Sequence, residues 1–359
     1  MGAAAVMAGA AAPAGSLQSL ARAKGLTFGS AVSAPGGLDD ARYRKLLLDE
    51  CGIIVPENEL KLYTIKAQQE GFAFARADRL AAFARDNGLK FRGHTLLWNR
   101  DEFAPKWLLA HDFGGRAKAE RWFTDYVRTV AARYPDQVES WDVVNETIDP
   151  KTGAMRDTVF TRAMGPEVVE LAFHVAREAA PKARLAYNDY MGWGDGDAKH
   201  RAGVLRLLER LKARGAPIDS FGIQGHIGNG DGGNVVTFPP ADQREWRAFV
   251  DEVRGMGLDL LITEFDVNDT VLSADPRQRD AQVAAVAKDF LDLMFSYPEL
   301  KQLLAWGLSD KYSWLQTWWP RPDGIAKRPT LYDAEFRPKP LREAVAAALR
   351  SAPERAPWA

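Results

Sequence analysis

A regular alternation of two kinds of segment is the feature that most constrains how this chain can fold. From about residue 27 onward, short runs of apolar, β-branched and aromatic residues alternate with stretches in which apolar residues recur with the period of a helix, such as RADRLAAFARDNG and VLRLLERLKARG. Eight βα units in a chain of 359 residues predict an α/β fold, a single (β/α)8 TIM barrel, rather than a doubly wound sheet. The eight predicted strands are TFGSAV (27–32), GIIVPENEL (52–60), KFRGHTLLW (90–98), VESWDVVNE (138–146), RLAYNDY (184–190), SFGIQGHI (220–227), DLLITEFDV (259–267) and LLAWGLSD (303–310).

The N-terminal segment differs from the rest, since MGAAAVMAGAAAPAGS consists almost wholly of small and apolar residues. Such a stretch is typical of a secretory signal, and Ala12-Pro13-Ala14 resembles a cleavage site, although no Lys or Arg precedes it. We therefore expect residues 1–16 to be an Ala-rich leader or a truncated signal segment. We expect residues 17–359 to form one barrel domain, because no linker-like change in composition follows.

Charge and composition restrict the classes of partner and site. The chain has 47 Lys plus Arg against 48 Asp plus Glu, so its net charge of −1 gives no electrostatic reason to expect nucleic acid or an anionic membrane as a partner. Cys51 is the only cysteine, which excludes an intrachain disulfide. The five histidines lack metal-ligand spacing. A neutral small molecule or polymer is the expected ligand, with no metal and no cofactor.

Polar and aromatic residues stand at the ends of most of the predicted strands. Active sites of this fold form where the C-terminal ends of the strands meet, so these side chains are predicted to converge on one pocket. They are Glu57 and Asn58 at the end of the second strand with Lys61 just after it, His94 and Trp98 in the third, Asn145 and Glu146 in the fourth, Asn188 and Asp189 in the fifth, Gln224 and His226 in the sixth, Glu264 and Asp266 in the seventh, and Trp306 in the eighth.

Two of these residues, Glu146 and Glu264, are predicted to face each other across the barrel mouth. A pair of carboxyl groups is what glycoside hydrolysis requires, because one protonates the leaving oxygen while the other attacks the anomeric carbon or activates water. Binding of a divalent cation is the competing use of such a pair. Lys61, His94 and His226 would then stand where further oxygen ligands are needed, which favours hydrolysis.

Six motifs in a fixed order resemble glycoside hydrolase family 10, the endo-β-1,4-xylanase barrels. They are RGHTLLW, WDVVNE, NDY, QGHI, ITEFDV and WGLSDKYSW, and the resemblance extends from about residue 25 to about residue 350. It implies that Glu146 is the general acid/base and Glu264 the nucleophile of a retaining enzyme. The resemblance also implies that Gln224 and His226 contact the nucleophile, that Asp266 orients His226, and that Tyr190 frames the cleft. The residues that it implies for recognition of the sugar are Glu57 and Asn58 at subsite −2, and Asn145, Lys61, His94, Trp98, Trp306 and Trp314 at subsite −1.

The chain departs from the family pattern at several positions beside these motifs. Leu62 stands where the family usually has Trp, Asn99 where it often has His, Leu315 where Arg is frequent, and Phe265 where Leu or Tyr is common. None of these positions is one of the two glutamates, so the departures affect sugar preference rather than the reaction. Of the tryptophans outside the motifs, we expect Trp107, Trp122 and Trp246 to pack in the core, and Trp318 and Trp319 to line a cleft wall.

The sequence therefore predicts a secreted or periplasmic, monomeric endo-β-1,4-xylanase that acts on xylan and xylo-oligosaccharides. A β-1,4-glucanase or mannanase of related architecture is the alternative, and a non-catalytic carbohydrate-binding barrel is a third. Trp314 resembles the residue that crowds the hydroxymethyl group of a hexose, which favours xylose. For the reaction itself we expect the carboxyl groups of Glu146 and Glu264 about 5–5.5 Å apart. Burial and the charge of Glu264 are expected to raise the pKa of Glu146.

Overall fold

A closed ring of parallel strands forms the centre of the molecule in the computed structural model, which describes residues 13–229 and 236–358. Among the described residues, eight strands each pair in parallel with two neighbours and so close the ring, while a ninth, of only two residues, pairs with one of them. The predicted TIM barrel is confirmed. The strands are β1 (Thr27–Val32), β2 (Ile53–Pro56), β3 (Lys90–Trp98), β4 (Val138–Asn145), β5 (Arg184–Asp189), β6 (Ser220–Ile223), β7 (His226–Ile227), β8 (Asp259–Val267) and β9 (Leu300–Ala305).

Helices surround the ring and cover its outer face. Their amphipathic sequences place buried apolar residues against the strands, for example Phe123 and Val127 in the helix Arg116–Ala131. The helices are α1 (Leu17–Arg22), α2 (Ala41–Glu50), α3 (Leu62–Ile65), α4 (Ala75–Asp86), α5 (Lys106–Leu109), α6 (Arg116–Ala131), α7 (Val159–Met164), α8 (Val168–Ala179), α9 (Ala198–Ala213), α10 (Pro240–Gly255), α11 (Pro276–Phe295), α12 (Leu315–Trp318) and α13 (Pro340–Ser351).

Three predicted strands are shorter or displaced in the structure. β2 ends at Pro56, so the predicted residues 57–60 belong to a loop. The sixth run is interrupted at Gly225, whose φ of 79° suits glycine, and only the two residues of β7 continue beyond it to pair with β8. β9 begins at Leu300 and ends at Ala305, because Gly307 with a φ of 90° turns the chain out of the barrel. Composition alone does not reveal these breaks.

A buried ion pair fills part of the barrel interior below the strand ends. Arg92 of β3 bonds to Asp142 and Ser140 of the neighbouring β4, and Asp142 also bonds to His94 Nδ1 at 2.9 Å. All four side chains are buried. Although burial alone would raise the pKa of Asp142, the charge of Arg92 and the contacts with His94 lower it. The network joins the barrel floor to His94 at the cleft.

The N-terminal helix begins at Leu17, where the side chain of Ser16 accepts a hydrogen bond from the backbone of Ser19. Leu17 itself is buried, and its backbone N–H donates to Glu50. Most of the predicted leader, residues 1–12, lies outside the described residues. In the part of the chain that the structure describes, no helix has the length and apolar character needed to cross a membrane.

Close packing of β3 against β4 yields a stability prediction. Gly93 pairs in register with Trp141, and a Cβ atom at position 93 would overlap the buried Trp141 indole. We expect Gly93→Ala to lower the free energy of unfolding by about 1–3 kcal/mol, as overpacking of a tight core does. The control is Gly255→Ala at the end of α10, where no atom lies near the added methyl group. Urea denaturation should show no loss for the control, and an equal effect of both variants would contradict this account.

Candidate active site

The strand ends surround one open cleft with a volume of about 1080 Å³. Its lining contains thirteen of the sixteen residues predicted from the sequence to meet there. Asn188 and Asp189 are not part of the lining, and Asp266 lies directly behind it, bonded to two of the thirteen. The thirteen are Glu57, Asn58, Lys61, His94, Trp98, Asn145, Glu146, Tyr190, Gln224, His226, Glu264, Trp306 and Trp314.

Glu146 follows the last residue of β4 and has a φ of 53°. A non-glycine residue in this left-handed region is unusual and is characteristic of functional positions. Its carboxylate is buried and accepts two hydrogen bonds of 2.9 Å, from Arg100 Nη1 at Oε2 and from Gln224 Nε2 at Oε1. Arg156 supports the backbone, since its Nε donates to the Glu146 carbonyl at 3.0 Å.

These contacts overturn the expected acidity of Glu146. Burial does act to raise the pKa of the carboxyl, as predicted, but the charge of Arg100 and hydrogen bonds from Gln224, Arg100 and Trp98 outweigh it, so the pKa is lowered. The prediction of a raised pKa was wrong because it included burial and Glu264 but no cation. In this structure Glu146 is held as a carboxylate.

Glu264, on the opposite side of the cleft in β8, is buried and has a separate set of donors. Asn188 Nδ2 donates to its Oε1 at 2.8 Å and lies 2.9 Å from the side-chain amide of Asn145. His226 Nε2 lies 3.2 Å from its Oε2. Gln224 contacts Glu264 through the backbone, since its carbonyl accepts a 2.7 Å hydrogen bond from the Glu264 N–H, but its side-chain amide donates to Glu146. The side-chain donor expected from Gln224 at the Glu264 carboxylate is thus corrected to Asn188.

His226 connects Glu264 to a further carboxylate below the cleft. Its Nδ1 lies 2.8 Å from Asp266 Oδ1, while Asp266 Oδ2 accepts a 2.7 Å hydrogen bond from Trp314 Nε1. Burial opposes a charged imidazole, but the charge of Asp266 and the hydrogen bonds to Asp266 and Glu264 raise the pKa of His226 to about 10. His226 is therefore an imidazolium at neutral pH, and both ring nitrogens are donors.

A second polar group stands beside β2. Lys61 Nζ lies 3.3 Å from Asn58 Oδ1, which also accepts a 2.6 Å hydrogen bond from the Tyr63 hydroxyl. Ser33 donates to Glu57 at 2.9 Å. Burial lowers the pKa of Lys61 despite the opposing charges of the cleft glutamates, and burial raises the pKa of Glu57. Donors and acceptors set close together in this way suit the hydroxyl edges of a sugar.

Aromatic side chains form the walls of the cleft. Lys61 Nζ lies 4.5 Å from the ring centre of Trp98, which stacks on Phe103 at 3.8 Å. Trp318 and Trp319 are 55% and 44% exposed and line the cleft, as expected for a wall. Flat apolar surfaces of this kind match the C–H faces of pyranose rings. Of the three tryptophans predicted to be core, Trp246 is buried, whereas Trp107 and Trp122 are partly buried and pack against the core.

Comparison with known proteins identifies the family. The model of the family described as Glycosyl hydrolase family 10 matches residues 16–348. The chain belongs to glycosyl hydrolase family 10. The resemblance seen in the six motifs is thereby confirmed.

Named relatives and a solved structure cover most of the chain. Endo-1,4-beta-xylanase B of Paenibacillus barcinonensis is 31% identical over 80% of this chain and 85% of its own length. The thermostable celloxylanase of Thermoclostridium stercorarium is 30% identical over 90% of this chain and 86% of its own. The crystal structure of xylanase 10B from Thermotoga petrophila RKU-1 in complex with xylobiose has a TM-score of 0.82 at 28% identity, covering 93% of this chain and 97% of that one.

Sequence reasoning missed several residues of this family 10 cleft. Asn188 had been noted at its strand end, but its contact with Glu264 depends on the barrel closing. Phe103 and Arg100 follow Trp98 in the segment after β3, where no periodic pattern of apolar residues indicates which way a side chain points. The only sequence signal near them is the departure at Asn99, whose amide donates to Thr147 Oγ1 at 2.6 Å, next to Glu146.

The contact between His226 and Asp266 leads to a prediction about the pH at which the His226 imidazole titrates. Because the charge of Asp266 is the largest influence raising the pKa of His226, its imidazole should remain protonated through neutral pH and titrate near pH 10. Asp266→Asn should lower the midpoint by more than about one unit. The ¹⁵N shifts of the His226 ring, followed by NMR from pH 5 to 10.5, measure both values. A wild-type midpoint below pH 7 would contradict this assignment.

Proposed function

We propose that this protein is a retaining endo-β-1,4-xylanase that hydrolyses internal β-1,4-xylosidic bonds of xylan. The observation that carries the proposal is the pair Glu146 and Glu264, two buried carboxyl groups that line one open cleft with separate sets of donors. Family membership and the xylanase names of its relatives support it. The catalytic domain that we propose spans residues 17–359, close to the family match.

In the proposed first step, Glu264 attacks the anomeric carbon while the protonated form of Glu146, a minority at neutral pH because its pKa is lowered, protonates the departing oxygen. This forms a glycosyl-enzyme, releases the aglycone and leaves Glu146 as a carboxylate. In the second step, Glu146 takes a proton from water, the water oxygen attacks the anomeric carbon, and Glu264 leaves as a carboxylate. The product keeps the β configuration. A retaining mechanism of this kind needs the carboxyl groups of Glu146 and Glu264 about 5–5.5 Å apart, which is the spacing we expect.

The supporting residues divide by what they contact. The imidazolium of His226 is a donor to Glu264 and stabilises its negative charge before attack and after release. We propose that Asn145, Lys61, His94, Trp98, Trp306 and Trp314 contact the sugar at subsite −1, that Glu57 and Asn58 recognise the next sugar, and that Tyr190 frames the cleft. Trp314, fixed by its hydrogen bond to Asp266, is proposed to crowd a hexose hydroxymethyl group.

We further propose that the protein is a secreted or periplasmic monomer whose partners are xylan and xylo-oligosaccharides. The composition of the first sixteen residues supports export. A β-1,4-glucanase activity is the second candidate, because the relative from Thermoclostridium stercorarium is named a celloxylanase.

A substrate panel tests the sugar specificity. Glucuronoxylan, arabinoxylan, cellulose and mannan are incubated side by side, and reducing ends and product lengths are measured. We expect xylo-oligosaccharides from both xylans, with kcat/KM about 10- to 100-fold above that on cellulose, since steric crowding of one substituent discriminates by about this amount. Equal or greater activity on cellulose or mannan would contradict the proposal that xylan is the preferred substrate.

Azide rescue tests the two catalytic roles. An activated aryl xylobioside departs without protonation, so Glu146→Ala should still form the glycosyl-enzyme but stall at hydrolysis. Azide should restore its turnover and yield β-xylobiosyl azide, while activity on xylan falls about 100- to 10,000-fold. Glu264→Ala should form no covalent intermediate, and azide should give the α-azide. If Glu146→Ala gave the α-azide and Glu264→Ala the β-azide, the roles assigned to the two glutamates would have to be exchanged.

A further inference from the structure

Arg100 is the one side chain in direct ionic contact with Glu146 among the residues that the structure describes. Nη1 of Arg100 donates to Glu146 Oε2 at 2.9 Å, and the two side chains are only 22% and 9% exposed. Partial burial strengthens such a pair, because water screens it less than at the surface. The contact lies at the carboxylate to which the proposed function gives both proton transfers.

The loop after β3 fixes Arg100 from several sides. Its guanidinium lies 5.0 Å from the ring centre of Phe103, which in turn stacks on Trp98. Asp101, the next residue, accepts a 2.8 Å hydrogen bond from the Val159 backbone and a 2.7 Å bond from Arg162. The side chain is therefore supported by stacking and by an anchored loop.

Other charged groups near Glu146 do not duplicate this contact. In residues 13–229 and 236–358, Arg156 reaches only the backbone carbonyl, and Glu102 lies 3.7 Å from the far side of Arg100. The remaining charged or titratable groups that face this part of the cleft are Lys61, Glu264, Tyr187, Tyr190, and Asp149 behind Arg156.

We propose that Arg100 is a positioning residue for the acid/base carboxylate, an inference that rests on the proposed function. Arg100 holds Glu146 in one rotamer, from which its carboxylate accepts the proton of water as the water oxygen displaces Glu264 from the anomeric carbon. The same contact opposes the protonated form that the first step needs. Arg100 thus favours hydrolysis of the glycosyl-enzyme at the expense of acid catalysis at high pH.

The sign of the pH effect follows from this arrangement. The charge of Arg100 contributes to the lowered pKa of Glu146, so it moves the basic limb of kcat/KM on xylan to lower pH. Without the guanidinium the pKa of Glu146 should rise, and the basic limb should move up by about one unit or more. A substrate that departs without protonation should not show this shift.

The experiment compares the wild type with Arg100→Met, which has no charge, and Arg100→Lys, which keeps it. For Arg100→Met we expect the basic limb on xylan to move up by about one unit, and kcat on an activated aryl xylobioside, where hydrolysis of the intermediate is limiting, to fall about tenfold. kcat/KM on the aryl substrate should stay within about twofold of wild type. Arg100→Lys should keep most of the pH profile while kcat falls.

Arg162→Met is the matched control, because it removes an arginine that anchors the same loop through Asp101 and is 49% exposed. Its pH profile should equal that of the wild type, and a shift as large as in Arg100→Met would assign the effect to the loop and overturn the proposal. An unshifted limb in Arg100→Met would also overturn it.

A second measurement is independent of turnover. The Glu146 carboxyl signal in ¹³C NMR, assigned with Glu146→Gln, should titrate at higher pH in Arg100→Met than in the wild type, and equal midpoints would overturn the proposal even if a variant is inactive. A wild type without xylanase activity but with the expected carboxyl shift would instead contradict the proposed function and leave the contact between Arg100 and Glu146 established.

Discussion

Closure of the parallel barrel is the constraint on which the other features of this molecule depend. A ring of parallel strands satisfies every internal backbone hydrogen bond and leaves no sheet edge, but it requires all C-terminal strand ends to meet at one face. Glu146 of the β4 end and Glu264 of β8 are far apart in sequence and lie across one cleft for this reason. The same closure brings Asn188 of β5 to Glu264.

Once carboxylates are gathered in a partly buried cleft, the cost of desolvating charge determines their surroundings. An unpaired buried charge is strongly destabilising, so each must receive a cation or several donors. Glu146 has Arg100 and Gln224, whereas Glu264 has Asn188 and His226. Lower in the barrel, Arg92 and Asp142 satisfy each other and fix His94. The charges form pairs whose members come from different strands or loops.

The two glutamates differ in the kind of partner that each receives, as expected if they have the two roles that we propose. His226 is an imidazolium balanced by Asp266, so Glu264 faces a cation that is itself neutralised from behind. Glu146 faces Arg100, whose other carboxylate neighbour, Glu102, is exposed to solvent at 3.7 Å. The cation beside Glu146 is therefore less compensated by a second carboxylate.

The sequence by itself determined the fold and most of the cleft. Periodicity indicated eight βα units, and in a parallel barrel the strand-end residues Glu146, Glu264 and His226 have a defined location, because strand direction alone brings them to one face. Residues in regular elements, such as Trp246 in α10, were also placed correctly by their helical period.

Only the tertiary structure decided how the cleft residues pair. A loop has no regular pattern of apolar residues, so nothing in the sequence after Trp98 indicates that the Arg100 side chain turns toward Glu146. The amide of Gln224 has two carboxylates within the same cleft, and which one it serves depends on the break at Gly225 and on distances set by barrel closure. The acidity of Glu146 was predicted in the wrong direction for the same reason: an electrostatic shift depends on the nearest charge, and that charge is set by three-dimensional distance, which sequence order does not contain.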